Sequence, residues 1–141
     1  MGVDSDYTKI QEAIMAGILS VVERAYHGTI EEQDDTILWV SHMLKNAGAD
    51  LSVLLRSNAV NYAVKGQDAS GLSIGGVELS VPPRLDDDVI ALANSGAPVY
   101  VVAEDLADRG ISAGDLCDGV QTVSRADLAK LFDDHDAIWH W

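Results

Sequence analysis

The chain has 141 residues, the size of one domain, and its 48% hydrophobic and 23% charged residues exclude disorder over the whole length. Nine basic residues face 23 acidic ones, a formal charge of −14 that disfavours nucleic acid and anionic membranes as partners. One cysteine, Cys117, excludes an internal disulfide and any CxxC motif, while the acidic start and the absence of a spanning apolar run lead us to expect a soluble cytoplasmic protein.

Residues 1–16 read as a leader with a short helix around Ile10, Ile14 and Met15. Gly17–Glu23 (GILSVVE) is apolar and β-branched, a first strand, and Ala25–Thr29 is the loop after it. The next helix is expected to start at a Thr29–Glu32 capping box and to run to Ala47. Its apolar stripe would be Ile37, Val40, Met43, Leu44 and Ala47, with Gly48 as its stop. Leu51–Leu55 is a second strand, followed by a short helix to Lys65 that Ser57 or Asn58 could cap. Residues 67–84 break the rhythm. Leu72, Ile74, Val77, Leu79 and Val81 flank Gly75-Gly76 and resemble a small hairpin, with an irregular excursion as the alternative; either way the apolar side chains need a cover from the domain or a neighbouring subunit. Asp86–Asp88 open a helix that buries Val89, Ile90, Leu92 and Ala93 and ends at Gly96.

Pro98–Ala103 (PVYVVA) is fully apolar, as expected at the centre of a parallel sheet. Short helical turns over Leu106–Arg109 and Ser112–Asp118 come next, then a strand at Val120–Val123. A helix starting near Ser124 to Asp127 turns Leu128, Leu131 and Phe132 inward, and Ala137–Trp141 forms a last strand. Five strands alternating with helices predict an α/β three-layer sandwich around a five-stranded, mostly parallel sheet. Sites on such sheets lie beyond the carboxyl ends of the strands. That directs attention to Arg24–Thr29, Arg56–Val60 and Ala103–Arg109.

Those loops offer little complete chemistry. GLSIGG (Gly71–Gly76) lacks the spacing of a dinucleotide or phosphate loop, so no cofactor is expected. His27, His42, His135 and His140 form no zinc motif, and no metal is expected. His135 and His140 show no partner in the sequence. Glu23, His27, Glu104 and Asp105 could converge for acid–base work, and Ser57-Asn58 at a helix start could hold a small anion. Tyr26 and Tyr62 read as packing aromatics. Trp139 and Trp141, at the end of the last strand, suit a subunit interface. Cys117 lies in GDLCDG between Asp115 and Asp118, which disfavour its thiolate.

The segment PVYVVAEDLADRGISAGDLCDGVQTVSRADLAKL resembles the carboxyl-terminal half of DsrE/DsrF-like proteins, a sulfur-relay family. Val99-Tyr100-Val101, Arg109-Gly110, Leu116, Gly119-Val120 and Leu128 carry the likeness. So does Ala49–Gln67 (ADLSVLLRSNAVNYAVKGQ) upstream. The resemblance spans residues 17–141 and implies a flavodoxin-like sandwich that assembles into dimers, trimers or hexamers, with a sulfur-relay protein as a possible partner. It also implies a persulfide-bearing cysteine eight residues before Gly110, where this chain has Val102. Some members carry a second cysteine three residues further on, where this chain has Asp105. Valine forms no persulfide. The leading expectation is therefore a non-catalytic oligomeric binding or accessory protein associated with sulfur metabolism, its pocket formed by Tyr26, His27, Ser57, Asn58, Val102, Glu104 and Asp105. Two alternatives stay open: a sulfur carrier that uses Cys117 instead, and a small-molecule enzyme that uses Glu104 or Asp105 with His27.

Overall fold

The computed structural model describes residues 17–26 and 35–141, together with Ser5, Asp6 and Lys9. The leader helix apart from those three residues, the Thr29–Glu32 box and His27 lie outside the described residues. Five strands form one parallel sheet: β1 (Ile18–Val22), β2 (Leu51–Leu55), β5 (Val99–Val102), β6 (Val120–Val123) and β7 (Ala137–His140). Their order is β6-β5-β2-β1-β7. β1 and β2 are buried throughout and β5 nearly so, which explains their unbroken apolar runs. Edge strands β6 and β7 carry the exposed positions.

The strand order sets which face each connection covers. From β1 to β2, β5 and β6 every step moves the same way across the sheet, so right-handed crossovers put those connections on one face. Helices α1 (Thr36–Asn46), α2 (Asp87–Asn94) and α3 (Ala103–Asp108) lie there, with the 3₁₀ segment Ser57–Ala63. Leu38, Tyr62, Val89, Leu92 and Leu106 pack from them onto Ile18, Val22, Val53, Leu55, Val99 and Val101. The last step returns past β1 to β7 and so crosses the opposite face. There α4 (Leu128–Asp133) sets Leu128, Leu131 and Phe132 against Leu19, Val21, Leu54 and Val102. The connections leaving β5 and β6 thus go to opposite faces, which opens a crevice between the carboxyl ends of these two neighbours.

Two local readings are corrected, the inward face of the first helix and the type of the helix after β2, while the helix start at Asp86–Asp88 holds. The described part of the first helix begins at Thr36, where Asp35 caps it: Oδ1 accepts from the Ile37 and Leu38 N–H groups at 3.0 and 2.9 Å. Its inward residues are Leu38 and Ser41, with Ile37 and Leu44 half-buried, whereas Met43 and Ala47 point to solvent. Ser41 Oγ meets Ser20 Oγ at 3.2 Å, tying helix to sheet. The segment after β2 is 3₁₀ rather than α, entered through Ser57 at φ 53°. Of the three aspartates before Asn94, Asp86 receives the Gly66 N–H at 2.8 Å and Asp88 receives the Asp35 N–H at 3.1 Å, so two of them link elements.

The hairpin forms as predicted. β3 (Ser73–Ile74) and β4 (Val77–Glu78) pair antiparallel, with Ile74 opposite Val77 and Ser73 opposite Glu78. Gly75 and Gly76 have φ 60° and 81°, the left-handed pair that a two-residue turn of this twist requires. The alternation puts Leu72, Ile74, Val77 and Leu79 on one face and Ser73 and Glu78 on the other. Among the described residues nothing covers the apolar face: Leu72, Ile74 and Val77 are exposed, Val77 by 70%.

Candidate functional site

The β5–β6 crevice has a volume of about 350 Å³ and is lined by Glu23, Arg56, Ser57, Val102, Asp105, Arg125 and Leu128. Most of these residues reach it from strand ends or the turns just after them. Glu23 and Arg56 extend β1 and β2, Val102 ends β5, Asp105 sits in the first turn of α3, and Arg125 follows β6. Val102 is buried and, with Leu128, supplies the apolar lining.

Two ion pairs organise the polar groups. Arg56 donates Nε to Glu23 Oε1 at 2.5 Å, and its Nη2 contacts the same oxygen. His140 Nε2 lies 3.1 Å from that oxygen as well. Arg125 Nη2 donates to Asp105 Oδ1 at 2.8 Å, while the Ser57 N–H donates to Asp105 Oδ2 at 2.7 Å. The helix-start anion position expected at Ser57-Asn58 is therefore filled by the chain's own Asp105. Arg109 bridges the neighbouring loops, from Nη2 to Asn58 Oδ1 at 2.6 Å and from Nη1 to the Asp105 carbonyl at 3.0 Å.

Of the expected pocket residues, Ser57, Val102 and Asp105 line this crevice. Glu104 lies beside it, accepting the Arg125 N–H at 2.8 Å, and Asn58 is held by Arg109. Tyr26 packs edge-on against Tyr62 with ring centroids 5.2 Å apart, and donates its hydroxyl to Gln67 Oε1 at 2.6 Å. Of the four residues expected to converge, Glu23 and Asp105 line the crevice, Glu104 lies beside it, and His27 lies outside the described residues. The histidine placed at Glu23 is His140, for which the sequence showed no partner. His135 also has one, its Nδ1 lying 2.7 Å from the Leu131 carbonyl. The sequence reading also missed Arg56 and Arg125. Their signal was position, since Arg56 directly follows one predicted strand and Arg125 lies two residues past another.

The Glu23 carboxyl is held below its ordinary value of 4.5 by the His140 contact first and by Arg56, against the opposing effect of burial. Its folded value thus lies under its unfolded one. The pair's contribution to stability is complete above about pH 4.5 and is lost as pH falls through the lowered value. In urea unfolding stepped downward from pH 5, stability should fall more steeply for the natural chain than for Glu23→Gln. Superimposable profiles would show that the pair adds nothing.

Cys117 lies away from the crevice. It is 4% exposed, and its N–H donates to the Ala63 carbonyl at 2.8 Å. Burial pushes the thiol's pKa up, and the Asp86 carboxylate adds to the effect. A second cavity of about 490 Å³ opens at the β1–β7 end beside Asp35, Thr36, His140 and Trp141. Both Asp35 oxygens there serve structure: Oδ1 caps α1 and Oδ2 accepts from the Tyr62 hydroxyl at 2.6 Å. Among the described residues no group of three or more His, Cys, Asp or Glu could hold a metal ion, and no helix is long and apolar enough to cross a membrane.

No protein-family model matches the chain, and no curated protein does. Solved structures do. The crystal structure of the YchN protein from E. coli superposes with a TM-score of 0.67 at 21% identity, covering 90% of this chain and 100% of that one. MTH1491 from Methanobacterium thermoautotrophicum, described as a protein of unknown function, gives 0.53 at 17% identity over 86% and 96% of the two chains. Strand order, layer arrangement and these superpositions together establish an α/β fold for this chain, a five-stranded parallel sheet flanked by helices, shared with YchN and MTH1491.

Proposed function

We propose that this chain is a non-catalytic DsrE/DsrF-like subunit that assembles with copies of itself and binds at the β5–β6 crevice, in a role associated with sulfur metabolism. The observation that carries this reading is Val102. The resemblance puts the family's reactive thiol at the end of this strand, and here a buried valine lines the crevice instead. The second sulfur position, Asp105, is engaged by Ser57 and Arg125. The crevice is lined by fixed charges and carries no thiol, which suits binding rather than sulfur transfer. The exposed apolar hairpin supports self-assembly.

The alternatives find less support. A relocated sulfur carrier needs an accessible thiolate, and Cys117 is buried with its pKa raised. An enzyme that pairs Glu104 or Asp105 with His27 would need free carboxylates, and both are already bound by Arg125; His27 itself lies outside the described residues.

Incubation of the folded protein with a sulfane-sulfur donor, read by intact mass, tests the proposal. We expect no gain of sulfur in the natural chain or in Cys117→Ser, whereas the natural chain unfolded in denaturant should react. Gain of a sulfur atom by the folded natural chain, lost in Cys117→Ser and reversed by reductant, would overturn the non-catalytic reading in favour of the relocated thiol.

A further inference from the structure

Resting on the reading of the crevice as a binding site, we propose that its ligand is a small oxyanion (a carboxylate, phosphate or sulfate group) held by Arg56 and Arg125. A guanidinium has five N–H donors in a rigid fork that matches two oxygens of such a group. Arg56 spends Nε and Nη2 on Glu23, which leaves Nη1 without a partner among the described residues. Arg125 spends one side-chain donor, Nη2, on Asp105, which leaves Nε and Nη1. Both line the same 350 Å³ space.

The carboxylates position these heads rather than block them. Glu23 is also contacted by His140, and Asp105 is fixed by the Ser57 N–H, so both arginines are anchored by groups that are themselves held. A ligand then binds heads already ordered, at a smaller cost in side-chain freedom. Val102 and Leu128 beside them keep part of the wall apolar, which strengthens charge-assisted hydrogen bonds. By formal count Arg56 and Arg125 balance Glu23 and Asp105, so the crevice is locally neutral on a surface that is otherwise acidic. An anion meets less repulsion here than over the chain as a whole, whose formal charge is −14.

The test is a nitrogen-15 NMR titration of the full chain with sodium acetate, sodium phosphate or sodium sulfate, ionic strength held constant with sodium chloride. We expect saturable shifts of the Arg56 and Arg125 Nε–H signals and the Ser57 amide in at least one arm, and the responding arm identifies the oxyanion. Arg125→Gln should weaken that binding at least tenfold. Its side chain is 57% exposed, so an unchanged thermal melt should confirm that the variant is folded. Arg125→Lys, which keeps the charge and loses the fork, should also bind more weakly than the natural chain. Shifts no larger than those from chloride in all three arms, or saturable shifts that persist unchanged in Arg125→Gln, would overturn the assignment. Neither result bears on the sulfur-donor assay or on self-association, so the ligand class and the non-catalytic reading fail separately.

Discussion

Val77→Asp should leave the chain folded and abolish its self-association. The natural chain is expected to sediment as an oligomer, and the variant as a monomer at the same concentration. The reason lies in the hairpin. Ile74 and Val77 face each other across a two-residue glycine turn, and Leu72 and Leu79 extend the same apolar face. Two isolated strands are marginal in water, and they gain stability when that face is covered. No part of the described chain covers it: Val77 is 70% exposed and Ile74 53%. An aspartate on so exposed a side chain costs the monomer little, within about 0.5 kcal/mol for a surface change. In an interface the same carboxylate would be buried without a partner, a loss of several kcal/mol and on the order of a hundredfold or more in affinity. Light scattering during chromatography, with circular dichroism of both proteins, reads the two effects separately. A natural chain that stays monomeric at every concentration would remove the assembly half of the proposed function. An oligomer that survives Val77→Asp would move the interface elsewhere, and the exposed Ile138, Trp139 and Trp141 of the β7 end offer another apolar surface.

The elements legible in the sequence were those whose physics is local. β1, β2 and β5 show as apolar β-branched runs because both faces of each strand are covered, and the Ile-Gly-Gly-Val turn shows because only glycine adopts that twist at no cost. Gly48 and Gly96, at φ 97° and 88°, stop their helices where expected. What stayed hidden depends on topology. Arg56, Arg125 and Glu23 meet because β6, β5, β2 and β1 lie side by side, and His140 reaches Glu23 because the chain returns past β1 to its far edge. Separations in sequence carry no trace of that order. The inward face of the first helix stayed hidden for a different reason: Ser41, a polar residue, turns inward to meet Ser20, while Met43 points to solvent. Asp35 before Thr36 caps the described part of this helix. Asp35 also has a buried partner from a distant segment, Tyr62, and no local rule supplies that information.

Asp35 is also where the largest loss of stability is expected. Its side chain is nearly inaccessible and serves three donors: the Ile37 and Leu38 N–H groups and the Tyr62 hydroxyl, itself fully buried. The Tyr62 oxygen in turn receives the Tyr26 N–H, so this one carboxylate ties the start of α1, the 3₁₀ segment and the loop after β1 together. Asp35→Ala removes a helix cap worth about 1 kcal/mol. It also removes the buried hydrogen bond that Asp35 accepts from the Tyr62 hydroxyl, which costs about 1–3 kcal/mol more. A total of about 2–4 kcal/mol corresponds to a fall in melting temperature on the order of 10 °C for a chain of this size. Asp35→Asn keeps an oxygen for the cap and should lose clearly less. Tyr62→Phe and the double variant complete a cycle, and because the two groups share one hydrogen bond their losses should fall short of additive. Full additivity would mean that the hydroxyl and the carboxylate stabilise the fold independently. Asp35 also borders the larger cavity beside His140 and Trp141, so loosening the start of α1 changes the wall of that space as well as the stability of the fold.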